Sequence, residues 1–351
     1  MPGSVPLAAV ERGGRVESVH RGAVAVADRF GRVRYAAGDP ALPLYLRSAC
    51  KPLQALPFVE GGGVETFGFT GAELAVICAS HAAEPVHLDA VRSILSKIGL
   101  GPSALRCGPH MPFDPATAAA LARAGRAPEA IHNNCSGKHA GMLASCRLYE
   151  WPTETYLEPA HPLQRRIAAI IGEFCANGDS LPQATDGCGV PTFYATVGGL
   201  AHAFARLADP GDLAAPRAVA VRRIGDAMAA HPVMVSGTGR LATSLMEVLG
   251  SRLFCKGGAE GGFGIALRSQ GLGIAVKIDD GNARAMGPVL VDVLRQLGVA
   301  GPAEVAALAA HARPDVRNTR GQVVGAIRSL VHLEEVSLHG TSRQPAQGGS
   351  A

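Results

Sequence analysis

The sequence predicts an α/β protein of the α+β type, with one antiparallel sheet built from both chain ends and a helical region between them. Two observations carry this. Period-two, β-branched runs are confined to about residues 14–46 and 250–335, the pattern of half-buried strands. Apolar residues at helical spacing fill about residues 50–248. In addition, no internal repeat or long linker interrupts the chain. A single domain over residues 1–341 is therefore expected, followed by a disordered tail at 342–351. With 351 residues, 47% of them hydrophobic, the chain can bury a large core.

Residues 14–37 read as a hairpin. Val24 and Val26 precede the turn Asp28-Arg29-Phe30-Gly31, and Val33 and Tyr35 resume the alternation. Pro52 suits the first turn of a short helix that runs to about Val59 and stops at Gly61-Gly62-Gly63. Thr70-Gly71-Ala72-Glu73 is a capping box for an apolar helix. Further helices are expected over 87–99, 115–130, from about 136, and over 162–177, 192–207 and 213–230. Three strands then follow at 252–258, 263–267 and 273–278. A helix at 285–297 and strand-like alternation at 321–334 complete the pattern.

Composition excludes several classes. The net charge is +4, aromatics are 5%, and no lysine–arginine cluster is dense enough for nucleic acid. No apolar run has the length of a membrane span. MPGSVPLAAVERGGR is not a basic start followed by an apolar signal core, so a soluble cytoplasmic protein is expected. The 8 cysteines at irregular spacings read as reduced thiols, some of them metal ligands, rather than a disulfide framework.

Ser48 and Lys51 stand three residues apart, where a helical turn places side chains on one face. A serine hydroxyl becomes a nucleophile when a base takes its proton, and a lysine is that base once its own pKa is depressed. Ser80 follows on a loop after an apolar helix, and Lys256, followed by Gly257 and Gly258, lies on a strand. Serine β-lactamases and penicillin-binding proteins carry the same three parts in the same order. The bland alternatives are a solvated lysine before a turn and a helix-terminal serine. A second cluster gathers Cys135, Lys138, His139, Asp186 and Cys188. Two thiolates and a nitrogen suit zinc, with His139 the nitrogen ligand suggested by residue chemistry alone, although buried structural thiols would look the same. Arg47 could pair with a substrate carboxylate, or be an ordinary surface arginine. His87, His110 and His161 read as surface or capping residues, and Cys78 and Cys146 as core.

Six stretches resemble the bacterial L-asparaginase II family of the Rhizobium etli type. They are Arg47-Ser48-Ala49-Cys50-Lys51-Pro52, Ala79-Ser80-His81, Asn133-Asn134-Cys135-Ser136-Gly137-Lys138-His139, Thr185-Asp186-Gly187-Cys188-Gly189-Val190-Pro191, Ser236-Gly237-Thr238-Gly239-Arg240 and Lys256-Gly257-Gly258-Ala259-Glu260-Gly261. The resemblance implies hydrolysis of L-asparagine to L-aspartate and ammonia by a serine-β-lactamase-like homodimer. It implies two Ser–Lys pairs, Ser48 with Lys51 and Ser80 with Lys256. It also implies zinc on Cys135, Lys138 and Cys188, with Asp186 steadying that site and His139 moved to the substrate side. Arg47, His81, Asn134, His139, Gly237, Thr238 and Glu260 become candidate substrate contacts. In the expected mechanism Ser48 attacks the amide carbon, and Lys51, kept neutral by Lys256 and Arg47, accepts its proton. Ser80 and Lys256 then serve the departing ammonia. The alternatives are a β-lactamase or D-amino-acid peptidase, and a zinc-stabilised binding protein without activity.

Overall fold

The computed structural model describes residues 1–176 and 178–336; the tail expected at 342–351 lies outside them, as does residue 177 at the end of an expected helix. The strands are β1 (Val5–Arg12), β2 (Arg15–Asp28), β3 (Val33–Ala37), β4 (Pro43–Tyr45), β5 (Gln183–Thr185), β6 (Pro191–Thr196), β7 (Leu253–Gly257), β8 (Gly262–Leu267), β9 (Leu272–Ile278), β10 (Asp315–Arg317), β11 (Val323–Ser329) and β12 (Glu334–Glu335). The helices up to residue 148 are α1 (Lys51–Gln54), α2 (Leu56–Glu60), α3 (Gly63–Thr66), α4 (Gly71–Ile77), α5 (Pro85–Lys97), α6 (Pro115–Arg123) and α7 (Ser136–Leu148). Those that follow are α8 (Pro162–Ala176), α9 (Val197–Ala208), α10 (Ala215–Ala230), α11 (Pro232–Val235), α12 (Leu241–Leu249), α13 (Met286–Gln296), α14 (Pro302–Ala307) and α15 (Ala309–Ala312).

The large sheet is antiparallel and mixes both chain ends in the order β10-β11-β1-β2-β9-β8-β7, with β3 also on β2 and β12 on β3. Strand β2 is long enough to serve three partners, with β3 on its residues 24–27. Its first part pairs with β1, and its residues 22–28 pair with β9. Strands β8 and β9 are buried almost residue after residue, so both faces of the sheet are covered there. Helix α9 lies so close to the sheet that a Cβ on Gly273 would fall 2.0 Å from the Ala201 carbonyl oxygen, and one on Gly264 2.1 Å from the Phe204 ring. Glycine permits that approach.

Several expectations shift. The sheet begins at Val5 rather than about residue 14, because Leu7, Ala8, Ala9 and Val10 are small or apolar and wholly buried. The helix expected over 192–207 begins at Val197. Thr192-Phe193-Tyr194-Ala195-Thr196 forms β6, which joins β4 and β5 in a separate three-stranded sheet. Its β-branched and aromatic residues fit a pleated surface. Helix α6 ends at Arg123, well short of residue 130, before Gly125 at φ +61°. The hairpin and the Thr70–Glu73 capping box are present, the latter with both reciprocal hydrogen bonds.

Candidate active site

Four segments converge. A 3₁₀ turn at Arg47–Cys50, entered with Arg47 at φ +46°, carries Ser48 into α1, where Lys51 is the first residue. Helix α4 ends just before Ser80. That loop is held on both sides, since the Ser80 amide donates to Val235 O at 3.1 Å and the His81 amide to Asn134 O at 3.1 Å. Strand β7 brings Lys256 in from the sheet, and the start of α7 brings Cys135 and Lys138.

Ser80 is the meeting point. Its Oγ lies 3.0 Å from Lys51 Nζ and 2.8 Å from Lys256 Nζ. Lys51 Nζ also lies 3.2 Å from Cys135 Sγ, and Lys256 Nζ donates to Gly257 O at 2.6 Å. Both lysines are buried. Burial and the Lys51 charge push Lys256 well below the ordinary lysine range, toward a neutral amine. A neutral Lys256 has a lone pair for the Ser80 hydroxyl proton, while Ser80 accepts from Lys51. The chain Lys51, Ser80, Lys256 is thus polarised in one direction.

Ser48 and Ser80 face one cavity of about 350 Å³, which Lys256, Asn134, Gly258 and Glu260 also line. No hydrogen bond joins Ser48 to Lys51 among the described residues; the Lys51 amine goes to Ser80 and Cys135 instead. Burial pushes Lys256 toward the neutral amine, and the Nε of Arg47, expected to crowd Lys51, pairs with Asp186 at 2.6 Å.

Behind Lys51 lies the thiol cluster. Lys138 Nζ is 2.9 Å from Cys188 Sγ, and Cys188 Sγ is 3.8 Å from Asp186 Oδ2. The neighbouring Cys188 thiol, with Lys51 and Lys138, holds Cys135 well below the usual thiol range despite burial. Burial opposes the Lys138 charge, but the two cysteines and Asp186 outweigh it and raise its pKa. Among the described residues no three His, Cys, Asp or Glu side chains are disposed to hold a metal, so any metal here would need Lys138. Two sulfurs and an amine nitrogen in one buried cluster match the donor chemistry of zinc.

A family model described as L-asparaginase II matches residues 8–329. The chain belongs to the L-asparaginase II family. No curated protein matches closely enough to count as a relative. Among solved structures, Mglu in its native form is 18% identical, covering 79% of this chain and 63% of its own, with a TM-score of 0.40. The chain therefore spans less than two thirds of Mglu. A β-lactamase from Mycobacterium bovis is 19% identical over 78% of this chain and 94% of its own, at TM-score 0.39. A Bacillus glutaminase crystallised in 4.3 M NaCl is 13% identical over 79% and 91%, at 0.35.

The remaining candidates in this asparaginase II chain divide. Asn134 and Glu260 line the cavity. His81 is fully buried, and both ring nitrogens are used: Nδ1 accepts from the Ala83 amide at 3.1 Å and Nε2 lies 2.9 Å from Ser136 Oγ. It braces the Ser80 loop against α7. Thr238 is tied to Glu84 through its amide at 2.7 Å and its hydroxyl at 2.9 Å, while Gly237, at φ +125°, packs beside Ala82. His139 is buried, with Nδ1 2.8 Å from the Tyr156 hydroxyl and Nε2 without a partner among the described residues. His87 and His161 cap helices as expected, yet both are buried rather than surface residues. Cys78 and Cys146 are core, and all eight cysteines are free thiols. Two cavity residues, Arg240 and Phe113, were given no role from sequence. The arginine that closes the small-residue loop Ser236–Arg240 was the available signal.

Proposed function

We propose that the protein is an L-asparagine amidohydrolase of the Rhizobium etli type, with a serine-β-lactamase-like fold, releasing L-aspartate and ammonia through an acyl-serine. The same reading makes it a single-domain, cytoplasmic homodimer. The observation that carries the reading is the Lys51–Ser80–Lys256 chain opening on a cavity shared with Ser48. Ser48 Oγ attacks the side-chain amide carbon. Lys51 gives a proton to Ser80 as Ser80 gives its own to Lys256, the amine that burial leaves uncharged, and Lys51 takes the Ser48 proton in its place. The C–N bond breaks, and Lys256 returns the proton through Ser80 to the departing nitrogen, which leaves as ammonia. Water then adds to the ester, giving L-aspartate and restoring Ser48.

Zinc, held by Cys135, Lys138 and Cys188, would supply the positive charge that keeps both thiolates and a neutral lysine together beside Lys51. Asp186 steadies that cluster through Cys188 and Arg47. The unpartnered Nε2 of His139 supports its place on the substrate side.

A second assignment of the nucleophile is favoured by one observation: both amines contact Ser80, which makes Ser80 the hydroxyl with a base already in place. Ammonia release from L-asparagine and L-glutamine by wild type, Ser48→Ala and Ser80→Ala is the test, with acid quench and peptide mapping of the trapped ester. Release from asparagine with an adduct on the Ser48 peptide supports the reading. An adduct on the Ser80 peptide transfers the nucleophile, and turnover by Ser48→Ala within a few-fold of wild type removes Ser48 from the mechanism.

A further inference from the structure

A pocket for an amino acid must meet two charges besides the amide, an α-carboxylate and an α-ammonium. Arg47 was expected to take the carboxylate, but its Nε pairs with Asp186 and it does not line the cavity. Arg240 does line it. It closes the loop Ser236–Arg240 and stands at the entrance of α12, so its backbone is fixed by a helix start. Its guanidinium carbon sits 4.8 Å over the Phe113 ring, another cavity residue, which sets the plane of the fork. Among the described residues no side-chain hydrogen bond or ion pair uses any of its donors. Burial works against the arginine cation more than the charge of the nearby Glu84 carboxylate favours it, and that carboxylate is occupied by the Thr238 amide and hydroxyl. A half-buried guanidinium with five unspent donors is a site for a planar anion.

Glu260 is its counterpart on the same cavity. Its backbone holds φ +59°, a left-handed conformation costly for a residue with a side chain. That turn is clamped by Lys277, whose Nζ donates to Glu260 O at 2.5 Å and Ile278 O at 2.7 Å. No donor among the described residues engages the Glu260 carboxylate. The lysine amine of the cavity, Lys256, is already held by Ser80 and Gly257, which leaves Arg240 as the cation available to a ligand.

We infer that Arg240 holds the α-carboxylate of the substrate and Glu260 its α-ammonium, so that these two residues select α-amino acids over simple amides. This rests on the amidase reading for the identity of the substrate, and deepens it. The arrangement also orients the molecule: with both charges of the backbone end fixed, the side-chain amide is directed toward the serines.

Three amides separate the two charges. L-asparagine carries both, succinamate lacks the ammonium, and 3-aminopropanamide lacks the carboxylate. Steady-state ammonia release is measured for wild type, Arg240→Met, Arg240→Lys and Glu260→Gln, with thermal melts to confirm folding. Calorimetric titration with L-aspartate runs in parallel and reads binding without turnover. Arg240→Met is expected to raise KM for asparagine and succinamate about 10- to 100-fold while leaving kcat/KM for 3-aminopropanamide unchanged. Arg240→Lys keeps the charge without the fork and falls between the two. Glu260→Gln raises KM for asparagine and 3-aminopropanamide and spares succinamate. Wild-type turnover with an unchanged asparagine KM in Arg240→Met overturns the inference and leaves the amidase standing. No ammonia from wild type, with L-aspartate binding that Arg240→Met abolishes, removes the amidase and keeps the anchor. Failure of wild type to bind L-aspartate, or equal losses on all three amides, overturns the anchor as well.

Discussion

What suits Lys256 to the proposed role of base is where it is, not its sequence neighbours. Buried on β7 with Lys51 nearby, it gives up its proton more readily than a lysine in water. The sign of the pH effect follows. A depressed lysine is uncharged above its folded pKa and able to take a proton from Ser80; as pH falls through that value it becomes an ammonium and the acceptor is lost. The acidic limb of kcat/KM should therefore report Lys256 and lie well below the ordinary lysine pKa of about 10.4. Lys256→Met should lower kcat by about 10²- to 10⁴-fold and abolish that limb. A pH–rate profile that keeps the same acidic limb in Lys256→Met would assign the titration elsewhere. The spacing of Ser48 and Lys51 marked both residues, but an i, i+3 interval describes one helical turn and nothing beyond it. That the Lys51 amine reaches Ser80 and Cys135 depends on α4, α7 and β7 meeting behind it. Such contacts are set by tertiary packing and have no local signature.

At the scale of elements, the thiol cluster joins two pieces with little else in common. Cys135 and Lys138 open α7, and Cys188 sits on the turn between β5 and β6. Zinc at this point would pin the turn to the helix. Cys188→Ser is expected to weaken zinc binding by more than about 100-fold and to lower the melting temperature, whether or not the protein is active. Metal analysis after dialysis, together with a thermal melt, checks this; one zinc per chain retained by the mutant would exclude Cys188 as a ligand. The turn itself shows what a sequence does and does not disclose. Its glycines marked a loop, whereas the adjoining Thr192–Thr196 run was absorbed into a helical pattern that continues into α9. A short apolar run suits either period, and what decides here is pairing with Pro43–Tyr45, 151 residues earlier at Leu44↔Ala195. The terminal strands were legible because β-branched residues alternate in them. Strand β1 was not, since its buried residues Leu7, Ala8, Ala9 and Val10 run consecutively without alternation and two of them are alanines, which carry no strand preference.

For the whole molecule, the sheet ties the first 30 residues to the last described ones, with the helices inserted between. Strand β1 lies between β2 and β11, so neither chain end has a sheet of its own. Helix α9 packs on β2, β8 and β9, and Gly273 is where its backbone touches the sheet. A methyl group there would meet Ala201 O at 2.0 Å and Ala205 N at 2.1 Å, both backbone atoms that no rotamer change can move. Gly273→Ala must therefore lift α9 or bend β9, at a cost of about 1–3 kcal/mol or more. If sheet and helices form one cooperative unit, that cost is felt everywhere at once. Fluorescence of Trp151, in the helical region, and far-ultraviolet circular dichroism should then give coincident unfolding curves, both displaced by the same amount in the mutant. Divergent transitions, with Trp151 unaffected while the dichroism midpoint falls, would instead divide the chain into a sheet and a helical insert that fold separately. In that case the Ser80–Lys256 contact, which bridges the helical region and β7, would be an interface between two units rather than part of one core.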